Sequence, residues 1–117
     1  MKEKRGTLEH NGITYPMAFN FNVMEEIQDE FGTLGEWNAL AIGANGEVNA
    51  KALKFGTTAM INEGIDIKNE ENNEKRPHLT TKQVGRLLYE IGLERVAETM
   101  DDLVNASTEI EDNEKNA

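Results

Sequence analysis

Ser107 is the single serine of the chain and there is no cysteine. The hydroxyl or thiol that nucleophile–base catalysis needs thus has one candidate, set in a polar C-terminal run. The two histidines could titrate near neutral pH or bind a metal, but His10 flanks an Asn-Gly turn and His78 follows Pro77 in a polar stretch. So far apart, they make no site, and both read as surface residues. Carboxylates are abundant, yet Glu25, Glu26, Asp29 and Glu30 fall on the polar side of one amphipathic helix, which makes them a solvated face rather than an acid–base pair. The same holds for Asp101 and Asp102. The segment starting at Asp66 offers many oxygens but lacks the Asp-x-Asp/Asn-x-Asp/Asn-Gly order of a calcium loop. Gly32/Gly35 and Gly43/Gly46 have neither phosphate-loop spacing nor a following Lys-Ser/Thr, and read as caps and turns. The absence of cysteine also removes disulfides and cysteine-held zinc or iron–sulfur centres. No catalytic or metal-ligating set emerges, so neither an enzyme nor a cofactor is expected.

The aromatic and methionine side chains carry more. Most of Met17, Phe19, Phe21, Met24, Phe31 and Met100 should be core. Trp37, Phe55 and Met60 stand on short or glycine-punctuated helices, where adaptable apolar side chains could line a groove for a partner helix. They are the candidate partner-binding residues.

The elements that must position them begin with Thr7 to Tyr15, in which Asn11-Gly12 sits between two alternating segments and asks for a two-residue type I′ hairpin. That turn pairs His10 with Ile13, Leu8 with Tyr15, Thr7 with Pro16 and Gly6 with Met17. Pro16, with no N–H, then marks a free edge. One face carries Leu8, Ile13, Tyr15, Met17 and Phe19 and must pack on something; the other carries Thr7, Glu9, Thr14 and Pro16. Phe21, Met24, Ile27, Gln28 and Phe31 recur at helical spacing up to a terminating Gly32. Thr33 to Glu36 is a capping pattern for a short helix through Trp37, Leu40 and Ala41. Asn49 caps a third helix, with Leu53, Gly56, Met60 and Ile61, that is expected to stop at Gly64. Gly56 in mid-helix costs about 1 kcal/mol relative to alanine, which implies close approach of a neighbour or local weakness. A mobile polar loop is expected over residues 66–78. Thr80 and Gln83 form a capping box for a helix striped by Val84, Leu87, Leu88 and Ile91, which Gly92 kinks or interrupts before Val96, Met100, Leu103 and Val104.

The 117 residues suit one domain, able to bury about two-thirds of its unfolded surface without staples. The expected class is α+β: an N-terminal β-hairpin packed on a bundle of three to five helices within residues 1–106, followed by a disordered acidic tail over 107–117. Twelve Lys and Arg face 22 Asp and Glu, a net charge of −10, which disfavours nucleic-acid binding because phosphate contacts need a clustered basic footprint. No apolar run of signal-peptide or membrane-span length follows Met1-Lys2-Glu3-Lys4-Arg5, so a soluble cytosolic protein is expected.

The run Asn11-Gly12-x-Thr14-Tyr15-Pro16-x-x-Phe19-x-Phe21, then one amphipathic helix ending at Phe31-Gly32, then Leu34 with Glu36, resembles the small tail assembly chaperones of long-tailed bacteriophages and prophages of Gram-positive bacteria. The likeness is strongest over Asn11 to Glu36 and extends in outline to Val104. It implies a non-enzymatic protein without cofactors that binds the tape measure protein in the host bacterial cytoplasm and keeps its long apolar helices soluble. It further implies help in recruiting tail tube protein, and absence from the mature virion. In many such systems a ribosomal frameshift makes a longer product, and this chain would match the short form. Two alternatives stand beside it: a structural virion component such as a tail or head-completion protein, and a small acidic regulatory interaction protein. Self-association is compatible with each.

Overall fold

The computed structural model describes residues 4–44, 46–96, 98–100 and 102–103. The fold is α+β, a two-stranded antiparallel hairpin followed by five helices. Strands β1 (Lys4–His10) and β2 (Ile13–Phe19) precede helices α1 (Phe21–Phe31), α2 (Leu34–Ile42), α3 (Ala50–Asn72) and α4 (Thr81–Ile91). The fifth helix, α5, lies within residues 93–103. The expected tail over 107–117 lies outside the described residues. No helix among the described residues is long and apolar enough to cross a membrane.

The hairpin has the register that Asn-Gly dictates: His10 opposite Ile13, Leu8 opposite Tyr15, Thr7 opposite Pro16 and Gly6 opposite Met17. Asn11 and Gly12 take φ of 51° and 79°, the two positive values of a type I′ turn. Leu8, Met17 and Phe19 are buried and Tyr15 is half-buried, whereas Ile13, near the turn, is 48% exposed. Pro16 and Ala18, on the opposite face, are buried too. The reason is Gly64 of α3. A Cβ there would stand 2.6 Å from the Pro16 carbonyl carbon and oxygen and 2.8 Å from Met17 N, so helix backbone lies directly against strand backbone.

Gly64 therefore does not end α3, which continues through Ile65 to Asn72 and closes on Asn73 in the left-handed region at φ 54°. The first half of the expected 66–78 loop is helix. The rest is tied down: Asn69 Nδ2 donates to Arg76 O at 2.9 Å and Asn69 Oδ1 accepts from Arg76 N at 3.1 Å. Asn62 does the same to Leu79, at 3.0 and 2.9 Å. Two side-chain amides, two helical turns apart on one face of α3, thus satisfy a returning extended segment much as a neighbouring strand would. This replaces the mobile loop expected from composition.

On α1 the inward line is Val23 and Ile27, with Met24 and Phe31 half-buried, while Gln28 is exposed and Phe21 is 66% exposed. Phe21 lies about 200° around the helix from Val23, so the two cannot both face inward. The caps form where the sequence places them. Asn20, Thr33 and Asn49 accept first-turn N–H groups, and Thr80 and Gln83 complete the capping box. Helix α4 buries Val84, Leu87 and Leu88 and stops at Gly92, φ 104°. Val96, Met100 and Leu103 of α5 complete the core, with Leu103 seated on Gly6 of β1.

Candidate docking surface

The three residues expected to line a groove do not share one. Trp37 is fully buried, its indole N–H donating to Ala52 O at 2.8 Å and its ring lying on Gly56. Met60 is fully buried as well. Both belong to the core, because a glycine in mid-α3 makes room for the indole rather than exposing it. Phe55 alone reaches the surface, half-buried, with its ring edge-on to Phe31 at 5.5 Å between centroids.

Beside Phe55, α1 and α3 enclose a small polar cleft of about 180 Å³ that includes Glu26, Thr58, Glu63, Asp66 and His78. Its carboxylates are mostly engaged. Asn20 Nδ2 and Asn22 Nδ2 each donate to Glu63 Oε2 at 2.7 Å, and His78 Nε2 lies 2.7 Å from Asp66 Oδ1. Among the described residues Glu26 has no such partner, and its pKa is raised above the ordinary 4.5: partial burial contributes most, then the Glu63 and Glu25 carboxylates. His78 pulls the other way, and Asp66 adds to the rise. No group of three or more acidic, histidine or cysteine side chains among the described residues could hold a metal ion. The cleft is an acidic structural junction between α1, α3 and the segment that precedes α4.

A different surface stands out where the N-terminal half of α3 faces α4. Lys82, Gly85, Arg86 and Tyr89 follow one another at helical spacing along the outer face of α4, and Ala50 and Lys54 of α3 face them across an open hollow of about 540 Å³. Tyr89 is 89% exposed, and Leu93, beyond the Gly92 break, is also exposed. The Lys54 stem lies against Gly85, where a Cβ would stand 2.9 Å from its Cδ. Arg5, Lys51 and Lys68 each pair with a carboxylate, and Arg76 bonds the Thr14 carbonyl and covers the Tyr15 ring. Lys54, Lys82 and Arg86 have no hydrogen bond or ion pair among the described residues. A chain of net charge −10 thus carries a hollow lined by three cations, with the Glu90 carboxylate beside them and an exposed aromatic ring along one wall. The signal was present in the sequence as two cations and a tyrosine at i, i+4 and i+7. It was overshadowed by the apolar stripe on the other side of the same helix.

Compared with protein-family models, curated proteins and solved structures, the chain matches none.

Proposed function

We propose that this chain is a non-enzymatic docking protein, a phage tail assembly chaperone that binds an apolar helical segment of the tape measure protein and keeps it soluble during tail assembly. The observation that carries the proposal is the exposed Tyr89 ring on the wall of the α3–α4 hollow. An amphipathic helix laid into such a hollow would bury its apolar side on Tyr89, and its polar flank would meet Lys54, Lys82, Arg86 and Glu90. The tape measure protein as partner, a role in recruiting tail tube protein, the host cytoplasm as location and absence from the mature virion come from the sequence resemblance over Asn11 to Glu36.

Co-expression with the cognate tape measure protein tests this reading. A soluble complex that survives moderate salt is expected, since apolar burial is screened far less than charge pairing. Tyr89→Ala should weaken binding by about 2 kcal/mol or more if the ring is an anchor. Equal solubility of the tape measure protein with and without this chain, and no co-eluting complex, would overturn the assignment. Recovery of the chain in stoichiometric amounts from purified particles would favour a structural virion component instead.

A further inference from the structure

The hairpin has one closed edge and one open edge. On β2, Pro16 carries no N–H, and the α3 backbone at Gly64 lies against the Pro16 carbonyl. On β1 the register settles which groups face outward. Gly6, Leu8 and His10 exchange hydrogen bonds with Met17, Tyr15 and Ile13, so the N–H and C=O groups of Arg5, Thr7 and Glu9 point away from β2. Among the described residues no other strand pairs with them, and all three residues are exposed. A seven-residue edge strand without proline is a template for another strand.

We propose that β1 of a second copy occupies this edge, antiparallel and centred on Thr7, so that two hairpins join into one four-stranded sheet. The strand is complementary to itself in that register. With Thr7 opposite its own counterpart, Arg5 of each copy stands opposite Glu9 of the other, and the pairing runs the whole length of Lys4–His10. Arg5, Thr7 and Glu9 share one face of the strand, and their outward backbone groups make all three hydrogen-bonded pairs. Opposite charges and paired threonines are favourable directly across a sheet. Other registers lose this match. A slip of one residue sets outward-pointing groups against inward-pointing ones, and a slip of two removes both Arg5–Glu9 pairs. In-register parallel pairing would set Arg5 on Arg5 and Glu9 on Glu9.

The existing partners of these side chains are compatible with a second one. Arg5 Nη1 donates to Glu71 Oε2 at 2.8 Å, and Thr14 Oγ1 donates to Glu9 Oε1 at 3.5 Å. A guanidinium has five N–H donors and a carboxylate two acceptor oxygens, so each can take a further contact without giving up the first. Charge complementarity selects a second copy as the occupant, because β1 itself carries a cation and a carboxylate at equal distances on either side of Thr7. At net charge −10 the copies repel at long range, which keeps the pairing weak and reversible. The inference does not rest on the function proposed above.

The absence of native cysteine makes the test direct, since a single introduced thiol can bridge only between copies. In the full-length protein, Thr7→Cys should oxidise to a disulfide dimer at least tenfold faster than Ile13→Cys, an exposed position at the hairpin turn. The Cα atoms of a hydrogen-bonded antiparallel pair stand about 5.5 Å apart, within disulfide range. Sedimentation equilibrium of the cysteine-free protein gives the second reading: the mean mass should rise towards that of a dimer as concentration approaches about 1 mM, the range of a weak contact. Arg5→Glu and Glu9→Lys, each checked for fold by circular dichroism, should separately weaken association at least fivefold. Their equimolar mixture should recover it, because opposite charges again meet across both pairs. Equal oxidation rates of the two cysteine variants would overturn the proposal. So would a wild type that stays monomeric throughout, or a dimer indifferent to both charge variants, which would place self-association on another surface. A mixture no tighter than either variant alone would overturn the antiparallel register.

Discussion

The indole of Trp37 occupies the space that a side chain at Gly56 would need. A Cβ on that glycine would lie 2.2 Å from Trp37 Cζ2 and 2.9 Å from Nε1, while the same indole is held by its N–H bond to Ala52 O. The ring has no room to withdraw, since it is fully buried between α2 and α3. In an open helix Gly→Ala gains about 1 kcal/mol from propensity. Here overpacking costs about 1–3 kcal/mol or more, so the sign reverses. Gly56→Ala should lower stability by about 1–3 kcal/mol in urea melts, whereas Gly35→Ala, with nothing closer than Thr33 Oγ1 at 4.0 Å, should be neutral or stabilising.

Gly64 poses the same problem against backbone. Its neighbours are the Pro16 carbonyl and Met17 N, atoms of a paired strand that cannot change rotamer. Gly64→Ala should therefore cost at least as much as Gly56→Ala, and the loss should appear as separation of the hairpin from α3. Faster amide exchange along β1 and β2 than in α4 would report it, and uniform exchange across the chain would contradict it.

What was legible in the sequence was local chemistry. Asn11-Gly12 sets both turn type and register, and Thr33, Asn49 and Thr80 cap helices with their own side chains, so nothing distant is needed to read them. The packing of the hairpin on the helices and a close neighbour at Gly56 were also legible, but the other inferences that needed a particular tertiary neighbour failed. A glycine that ends a helix and one that admits another backbone look alike until Pro16 is placed against Gly64. Trp37, Phe55 and Met60 have the composition of a docking surface, yet exposure belongs to the packed molecule, and two of the three went to the core. Helical spacing puts Phe21 on the Met24, Ile27 and Phe31 stripe, although the helix can bury either the Val23 side or the Phe21 side. The loop after residue 72 read as mobile because its own residues are polar. Its anchors, Asn62 and Asn69, lie on α3 and look like ordinary helix-surface amides.

Those anchors are separable by substitution. Asn62→Ala leaves the Leu79 N–H and carbonyl without their partner in a part-buried position, and should cost about 1–2 kcal/mol. Asn62→Asp keeps an acceptor for Leu79 N but faces the Leu79 carbonyl with a like partial charge, so it should recover only part of that loss. Amide exchange at Leu79 and Arg76 gives the site-specific reading. If both N–H groups exchange as fast in the wild type as in Asn62→Ala and Asn69→Ala, the anchoring is absent in solution.

Glu26 makes stability depend on pH with a sign opposite to that of a salt-bridged carboxylate. Its folded pKa is raised, chiefly by burial and the Glu63 and Glu25 carboxylates, so the folded protein holds this proton more tightly than the unfolded chain does. The resulting contribution is full below the ordinary carboxylate pKa of 4.5 and is lost as pH rises through the raised value. At neutral pH the ionised group is a cost. Glu26→Gln should raise stability near pH 7 by less than about 1 kcal/mol, the scale of exposed charge interactions, and the gain should vanish by about pH 4. A gain equal at both pH values would assign it to packing.

Tyr89 and Leu88 are neighbours in sequence, about 100° apart around α4, one exposed and one buried, which separates a docking role from a folding role within two positions. Leu88 is 2% exposed in the core, and Leu88→Ala should cost about 2–5 kcal/mol. Tyr89 is 89% exposed and has no hydrogen bond among the described residues, so Tyr89→Ala should stay within about 0.5 kcal/mol of the wild type. Trp37→Ala and Met60→Ala cannot serve as binding probes, because they remove core volume first. The Tyr89 variant can, since it leaves the core intact. Thermal melts of the two α4 variants together with Trp37→Ala check the division: a Tyr89→Ala loss comparable to that of Leu88→Ala would show that the ring is packed, and the α3–α4 surface would no longer be open to a partner.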